Sequence, residues 1–206
     1  MRSFRTAALV GVPAFWLLFY FACIQAVQPW GQGWFFRSVS AGLVFIPLAV
    51  ALAAVFALTS LFRRQFGDAM LGAAVVLFCV GAFYAFRDIE WFFRRRAIVR
   101  VVRELAVLPK AIRGYTAAEG HPPPTLDALV PQYIQAIPAT GLGAYPDFEY
   151  RVGSAAPPNE EWALLIPTSM GILNWDLLLY LPSERYPAQG WGGSLERVGA
   201  WAYVHE

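Results

Sequence analysis

Three apolar stretches dominate the first half of the chain. Residues 7–27, 39–62 and 69–86 are almost wholly apolar and contain no charged residue. A helix needs ~20 apolar residues to cross the hydrocarbon core of a bilayer. The pattern therefore predicts a membrane domain, residues 1–86, with three transmembrane helices.

The segments around these stretches refine that prediction. A basic start before residues 7–27 is also typical of a signal peptide, but the run is long, rich in aromatic residues and lacks an Ala-x-Ala exit, so we favour a retained span. Turn residues and clustered aromatics predict an interfacial loop at 28–38. Pro47, inside the second stretch, predicts a kink that a membrane helix tolerates.

Beyond residue 86 the apolar residues recur every three or four positions, which is typical of one buried helix face. The stripe consists of Phe86, Ile89, Phe93, Ala97, Val101, Leu105, Leu108, Ile112 and Tyr115. The third span is therefore expected to extend into a long amphipathic helix. Pro109 should interrupt it and Gly120 should end it, while Thr125 is placed to cap a short second helix.

The remainder of the chain predicts strands. Residues 148–152 alternate polar and apolar side chains, 162–166 and 177–181 are continuous apolar runs, and 199–205 alternate small and aromatic residues. Turn-rich loops are expected at 153–159, 168–175 and 182–194. The prediction is an α+β membrane protein in which a second domain, residues 87–206, packs the helix on an antiparallel sheet of about four strands.

Composition supports a membrane part and a water-facing part. Hydrophobic residues make up 58% and charged residues 15% of the 206 positions, against roughly 45–50% and 25% in an average soluble chain. Residues 1–100 hold ten arginines and three acids, whereas 101–206 hold six basic and eleven acidic residues. The basic residues adjoin predicted spans, so nucleic-acid binding is not expected, and spans without ionisable groups argue against ion-coupled transport.

Six arginines follow the third span, and two interpretations of them stay open. They are Arg87, Arg94, Arg95, Arg96, Arg100 and Arg103. They are candidate contacts for anionic lipid headgroups beside the bilayer. Alternatively, they form the solvated face of the amphipathic helix, with their stems along the apolar surface.

Large aromatic residues cluster in the last third of the chain. The candidates are Trp175, Tyr180, Tyr186, Trp191, Trp201 and Tyr203. One interpretation is that they fill the core of a small sheet. The other is a contact surface for a partner, because Trp and Tyr are enriched among residues that dominate binding energy.

Catalytic and metal-binding patterns are weak. Ser169, Asp176 and His205 have the residue types of a catalytic triad, but the sequence pattern around the serine does not support one. Residues 167–171 lack the first glycine of G-x-S-x-G. The adjacent carboxylates Glu160 and Glu161 are expected to be solvated. The two histidines belong to no cluster with metal-ligand spacing, and Cys23 and Cys79 lie in apolar runs as small buried hydrophobes. We expect no enzyme activity, cofactor or metal.

One pattern has a family likeness. Tyr115, Gly120 and Pro123 stand in the spacing Y-x-x-x-x-G-x-x-P, followed by the run 125–138 and the strand at 148–152. From Ala69 onward the chain resembles the type IV pilin and pseudopilin class, in particular the major pseudopilins of type II secretion. Gly67 is not followed by the assembly glutamate, two further spans precede the helix, and the Asp-rich calcium loop is missing. The resemblance thus implies a pseudopilin-like fold, not filament formation, processing or calcium binding.

These features predict a non-catalytic integral membrane protein that displays a pseudopilin-like domain for protein–protein contact in a cell-envelope assembly. The alternative is a membrane-anchored sensor or an accessory subunit that binds anionic lipid through the arginines. We expect the bacterial inner membrane, with the C-terminal domain in the periplasm. The basic N-terminus supports this orientation, although the number of arginines beside the spans favours the reverse.

Overall fold

The computed structural model describes residues 7–169, 175–187 and 193–205. The chain divides into two compact units. The helical unit comprises Met1–Ala26 and Gln32–Arg94, and the α+β unit comprises Val27–Gly31 and Arg95–Glu206. The α+β unit thus includes a five-residue turn from the segment between the first two apolar stretches.

The predicted apolar segments are helical. They form α1 (Val12–Ala26), preceded by a π-turn at Ala7–Gly11, α2 (Gly33–Ala41), α3 (Ile46–Phe62) and the start of α4 (Phe66–Glu104). A 3₁₀ turn, Gly42–Phe45, joins α2 to α3, and Pro47 lies in the first turn of α3. The second helical segment begins at Gly33 rather than 39, because part of the predicted interfacial loop is itself helical.

Small residues let α3 and α4 approach closely within the helical unit. A Cβ added to Gly72 would lie 2.8 Å from the carbonyl oxygen of Ala53 and 2.9 Å from Cβ of Ala57. Ala53, Val75 and Cys79 form a buried cluster beside this contact. Small residues thus allow the close helix packing that is common between membrane helices. Both cysteines are buried and free, as the sequence predicts.

The long helix is interrupted just before Pro109, near the position that the sequence predicts. α4 ends at Glu104, and α5 (Val107–Glu119) begins two residues before Pro109, whose ring nitrogen has no hydrogen to donate to Leu105. α5 ends at Gly120, which has the left-handed φ of +77° and donates its N–H to Thr116 O at 2.9 Å. Most of the predicted stripe is buried, including Leu105 and Leu108, whereas Ile89 is exposed.

The short second helix is a 3₁₀ turn, Leu126–Leu129, and the side chain of Thr125 makes no capping hydrogen bond. Thr125 therefore stands at the predicted N-cap position, but without the side-chain hydrogen bond expected of a cap. The backbone of Thr125 is extended, and Ala128 N–H donates to the Thr125 carbonyl oxygen instead.

Five strands form one antiparallel sheet in the order β1-β2-β3-β5-β4. They are β1 (Glu149–Val152), β2 (Trp162–Pro167), β3 (Leu177–Tyr180), β4 (Ser194–Val198) and β5 (Trp201–His205). The sequence predicted four of them. β4 was missed because Ser-Leu-Glu-Arg-Val lacks an apolar alternation, and it forms only by pairing with β5 at the edge of the sheet.

One face of the sheet carries the helix. Leu164 pairs with Tyr180, and Tyr203 pairs with both Leu178 and Glu196, so these side chains share a face. Arg113 Nη1 donates to the hydroxyl oxygen of Tyr180 at 2.6 Å, and Arg95 Nε donates to Glu196 Oε1 at 2.9 Å. These two contacts hold the end of α4 and α5 on the face.

The opposite face has its own apolar cluster. Ala163, Leu165, Leu179 and Leu181 are buried together, and the ring of Tyr186 packs against them. The segment after β3 therefore folds back over this face, so the sheet is covered on both sides.

The turn Val27–Gly31 packs on the rest of the α+β unit through backbone groups. Gly143 N–H donates to Gln28 O at 2.8 Å, and Arg100 Nη2 donates to the carbonyl oxygens of Val27 and Gly141 at 3.0 Å each. A Cβ on Gly143 would lie 2.2 Å from the carbonyl oxygen of Gly31. The turn is thus held by a contact that only a glycine at 143 permits.

Candidate functional site

Basic and apolar residues share the exposed side of the end of α4 and of α5. We call this side the outer face; it comprises Arg96, Val99, Arg103, Ala106, Val107 and Lys110, all of which are exposed. Arg96, Val99 and Arg103 lie in α4, Ala106 lies between the two helices, and Val107 and Lys110 lie in α5. The opposite side of the same helices is buried, including Ile98, Val101, Leu108 and Ile112.

The outer face combines positive charge with uncovered apolar surface. Arg96 and Arg103 are seven residues apart in α4, or about two helical turns, and Lys110 lies in the first turn of α5. Val99 and Val107 lie among them and are 37% and 43% exposed. The outer face is therefore a mixed basic and apolar surface.

Two of the six arginines predicted for lipid headgroups serve internal contacts instead. Arg94 is buried and its Nε donates to Glu90 Oε1, one turn earlier in α4. Arg100 is half-buried because its guanidinium holds the carbonyl oxygens of Val27 and Gly141. The prediction of six arginines at lipid headgroups therefore does not hold for Arg94 and Arg100, which stabilise the fold.

The other four arginines are exposed. Arg95 pairs with Glu196 across the α+β unit, and Arg87 lies 3.7 Å from its neighbour Asp88. Arg96 and Arg103 belong to the outer face. The sequence missed its apolar members and Lys110, although the seven-residue spacing of the basic positions was a signal in the chain.

The aromatic residues are mostly core residues. Tyr180, Trp201 and Tyr203 are buried, and the ring centroids of Tyr180 and Trp201 are 5.3 Å apart. Trp162 stacks on Tyr180 at 5.4 Å. These rings fill the space between the helix and the sheet, which corrects their interpretation as part of an exposed surface.

The remaining three aromatic candidates differ from one another. Trp175 is 64% exposed, and Trp191 lies outside the described residues. Tyr186 is half-buried, its hydroxyl donates to Ala200 O at 2.8 Å, and it accepts the N–H of Leu181 at 2.9 Å. Tyr186 therefore fastens the segment after β3 to the sheet.

Three tyrosines of the α+β unit have raised pKa values. Burial raises the pKa of Tyr150 to about 12, and its hydroxyl donates to Pro123 O at 2.9 Å. Burial likewise raises the pKa of Tyr186 to about 12. The pKa of Tyr180 is raised by burial despite the opposing charge of Arg113. In each case the neutral phenol is favoured, as in a packed core, rather than an activated phenolate.

Asp176 and His205, two of the three residues considered as a catalytic triad, both contact Tyr203 in β5. The hydroxyl of Tyr203 donates to Asp176 Oδ2 at 2.7 Å, and the ring of His205 packs edge-on against Tyr203 at 4.4 Å. Thr168 N–H donates to the carbonyl oxygen of Asp176 at 2.8 Å. These bonds account for the burial of Asp176 as a structural anchor between β2, β3 and β5.

The other candidate acids and histidines also have structural contacts. Glu160 accepts hydrogen bonds from the N–H and hydroxyl of Ser183, with the former at 3.2 Å, and so fastens two loops. The ring of His121 lies 6.0 Å from that of Tyr115. Within residues 7–169, 175–187 and 193–205, no group of three His, Cys, Asp or Glu side chains could hold a metal ion.

Comparisons with protein-family models, with curated proteins and with solved structures give no match to this chain.

Proposed function

We propose that this chain is a non-catalytic integral membrane protein that displays its α+β unit for contact with a protein partner in a cell-envelope assembly. One observation carries the proposal. Three helical segments, Leu9–Ala26, Gly33–Phe62 and Phe66–Glu119, are long and apolar enough to cross a bilayer, and the third ends within the α+β unit.

The surface of the helical unit supports insertion into lipid. Large apolar side chains are more than half exposed on all three segments, including Leu17, Leu52, Met70 and Leu77. Soluble proteins rarely expose contiguous apolar patches larger than a few hundred Å². A bilayer covers such side chains, while the helical hydrogen bonds satisfy the backbone.

The candidate catalytic side chains of the α+β unit have structural contacts, which fits the non-catalytic part of the proposal. Tyr203 donates a hydrogen bond to Asp176, and Glu160 accepts one from the N–H of Ser183. The pseudopilin-like assignment remains part of the proposal. It is supported by a long helix that ends at Gly120, a proline-rich turn and an antiparallel sheet in that order.

The experiment is a topology measurement on the full chain in intact bacterial cells. Cys23 and Cys79 are replaced by alanine, and one cysteine is introduced at exposed Ser154 in the α+β unit. Exposed Gln65, in the turn between α3 and α4, is the matched control for the other side of the membrane. A membrane-impermeant maleimide is applied before and after lysis.

We expect S154C to react in intact cells and Q65C only after lysis, with both proteins resisting alkaline extraction from membranes. The opposite labelling pattern would place the α+β unit in the cytoplasm and reject the envelope assembly. Release by alkaline extraction would reject integral insertion.

A further inference from the structure

We propose that β1 is the edge at which a second copy of this chain adds its own β1, in antiparallel orientation, so that the two sheets join into one. The inference goes beyond the proposed function, because it concerns self-association and holds on either side of the membrane. It rests on β1, Glu149–Val152, which lies at one end of the strand order of the sheet.

The ladder between β1 and β2 identifies the backbone groups of β1 that are free to pair. Its register places Gly153, just after β1, opposite Glu161, and Gly153 N–H donates to Glu161 O at 3.0 Å. Hydrogen-bonded pairs alternate with non-hydrogen-bonded pairs along an antiparallel ladder. Tyr150 and Val152 therefore direct their N–H and C=O groups away from β2, to the open edge. Among the residues that the structure describes, none forms a hydrogen bond with these outward groups.

The charged side chains of β1 select one register for a second copy. Glu149 and Arg151 share a face of the strand, since side chains alternate, and each side chain is 45% exposed. With Tyr150 opposite Tyr150 of the second copy, Glu149 of each copy lies opposite Arg151 of the other. A shift by two residues would place Glu149 against Glu149 or Arg151 against Arg151, and like charges directly opposite are destabilising.

The backbone groups fit this same register. Tyr150 opposite Tyr150 is then a hydrogen-bonded pair, in which each N–H donates to the carbonyl oxygen of the other copy. The Glu149–Arg151 pairs are non-hydrogen-bonded, and their side chains come closest because the Cα atoms are about 4.5 Å apart. Within each strand Arg151 Nη2 already lies 2.5 Å from Glu149 Oε2. The four side chains thus form a network of alternating charge about a two-fold axis, which closes the contact as a dimer.

A second copy fits this edge better than an unrelated strand does. Any extended peptide can pair with exposed backbone groups, but a second β1 always supplies a guanidinium and a carboxylate in the complementary order. The other edge strand, β4, lacks this symmetry, because its central residue is Glu196. Pairing of β4 with itself about that residue would place Glu196 opposite Glu196.

The test uses the full-length protein in detergent micelles. Cys23 and Cys79 are replaced by alanine, and K110C, at an exposed position of α5, carries the dye. Separate pools are labelled with a donor or an acceptor, and energy transfer after mixing measures association. The charge variants are E149R, R151E and the double reversal E149R/R151E. The matched control is R185E, which reverses an exposed arginine outside β1.

We expect energy transfer between pools of the unreversed protein and, to the same extent, between pools of R185E. E149R mixed with E149R, or R151E mixed with R151E, should associate at least about tenfold more weakly, because like charges then lie opposite. E149R mixed with R151E should associate again, as should the double reversal with itself. This exchange of specificity requires folded variants, so misfolding cannot imitate it.

Disulfide formation tests the register. E149C and R151C are made separately in the background without Cys23 and Cys79. Oxidation of the mixed pools should link E149C to R151C faster than it links either variant to itself. Directly opposite residues lie within the Cα distance that a disulfide spans, whereas diagonal neighbours lie about 7–8 Å apart.

Three results would overturn the inference. They are no energy transfer between pools of the unreversed protein, equal transfer between pools of E149R, and equally fast linking within the E149C pool. The second result would mean that the copies associate through another surface, such as the membrane helices.

Discussion

Replacement of Gly143 by alanine should destabilise the α+β unit. The added Cβ would lie 2.2 Å from the carbonyl oxygen of Gly31 and 2.5 Å from its nitrogen, and both are backbone atoms that cannot rotate away. Relief of this overlap must move the Val27–Gly31 turn and lengthen the 2.8 Å hydrogen bond from Gly143 N–H to Gln28 O. Overpacking costs typically about 1–3 kcal/mol and the hydrogen bond about 1 kcal/mol, so we expect a loss of about 2–4 kcal/mol.

Pulse proteolysis of the full-length protein in urea and detergent measures this loss, because the strands of the α+β unit contain tryptic sites at Arg151 and Arg197. Gly114→Ala is the matched control. Its Cβ would meet only the ring of Tyr133, at 3.5 Å, and alanine favours the helix by about 0.5–1 kcal/mol. A G143A midpoint equal to that of wild type, or an equal fall in G114A, would refute the reasoning.

Three further predictions concern the same unit. Gly120→Ala should lower the free energy of unfolding by about 1 kcal/mol, because φ of +77° strains any residue with a Cβ; urea denaturation measures the change, and a neutral result would contradict it. Arg113→Leu should lower the free energy of unfolding by about 1.5–3 kcal/mol, because it removes the charged group that donates a hydrogen bond to Tyr180. A double-mutant cycle with Tyr180→Phe should show coupling. Additive losses would mean that this hydrogen bond contributes nothing. The free energy of unfolding should fall between about pH 10 and 12, because Tyr150 and Tyr186 keep their protons in the fold while the unfolded chain has lost them. Alkaline denaturation of Tyr150→Phe and Tyr186→Phe should therefore show a shallower pH dependence. An unchanged profile would contradict the raised pKa values.

Local patterns in the sequence determined the helices and most strands. Apolar runs and a three-to-four-residue period depend only on neighbours along the chain, as do the stop at Gly120 and the pause before Pro109. β1, β2, β3 and β5 carry alternating or continuous apolar residues that fit a strand wherever it lies. The helices and these strands were therefore predictable, apart from their ends.

Only the tertiary structure decided which arginine and aromatic side chains are taken up by contacts inside the fold. Arg94 and Arg100 resemble the neighbouring arginines in the sequence. Inside the fold, however, Arg94 donates to the Glu90 carboxylate, and Arg100 donates to two backbone carbonyl oxygens. Tyr180 and Trp201 are buried because the helix covers one face of the sheet. β4 exists because β5 pairs with it, and the Val27–Gly31 turn belongs to the α+β unit because Gly143 lies against it. The contacts of Arg100, the burial of Tyr180 and the place of the Val27–Gly31 turn depend on residues far apart in the chain, whereas periodicity records only what lies within a few turns.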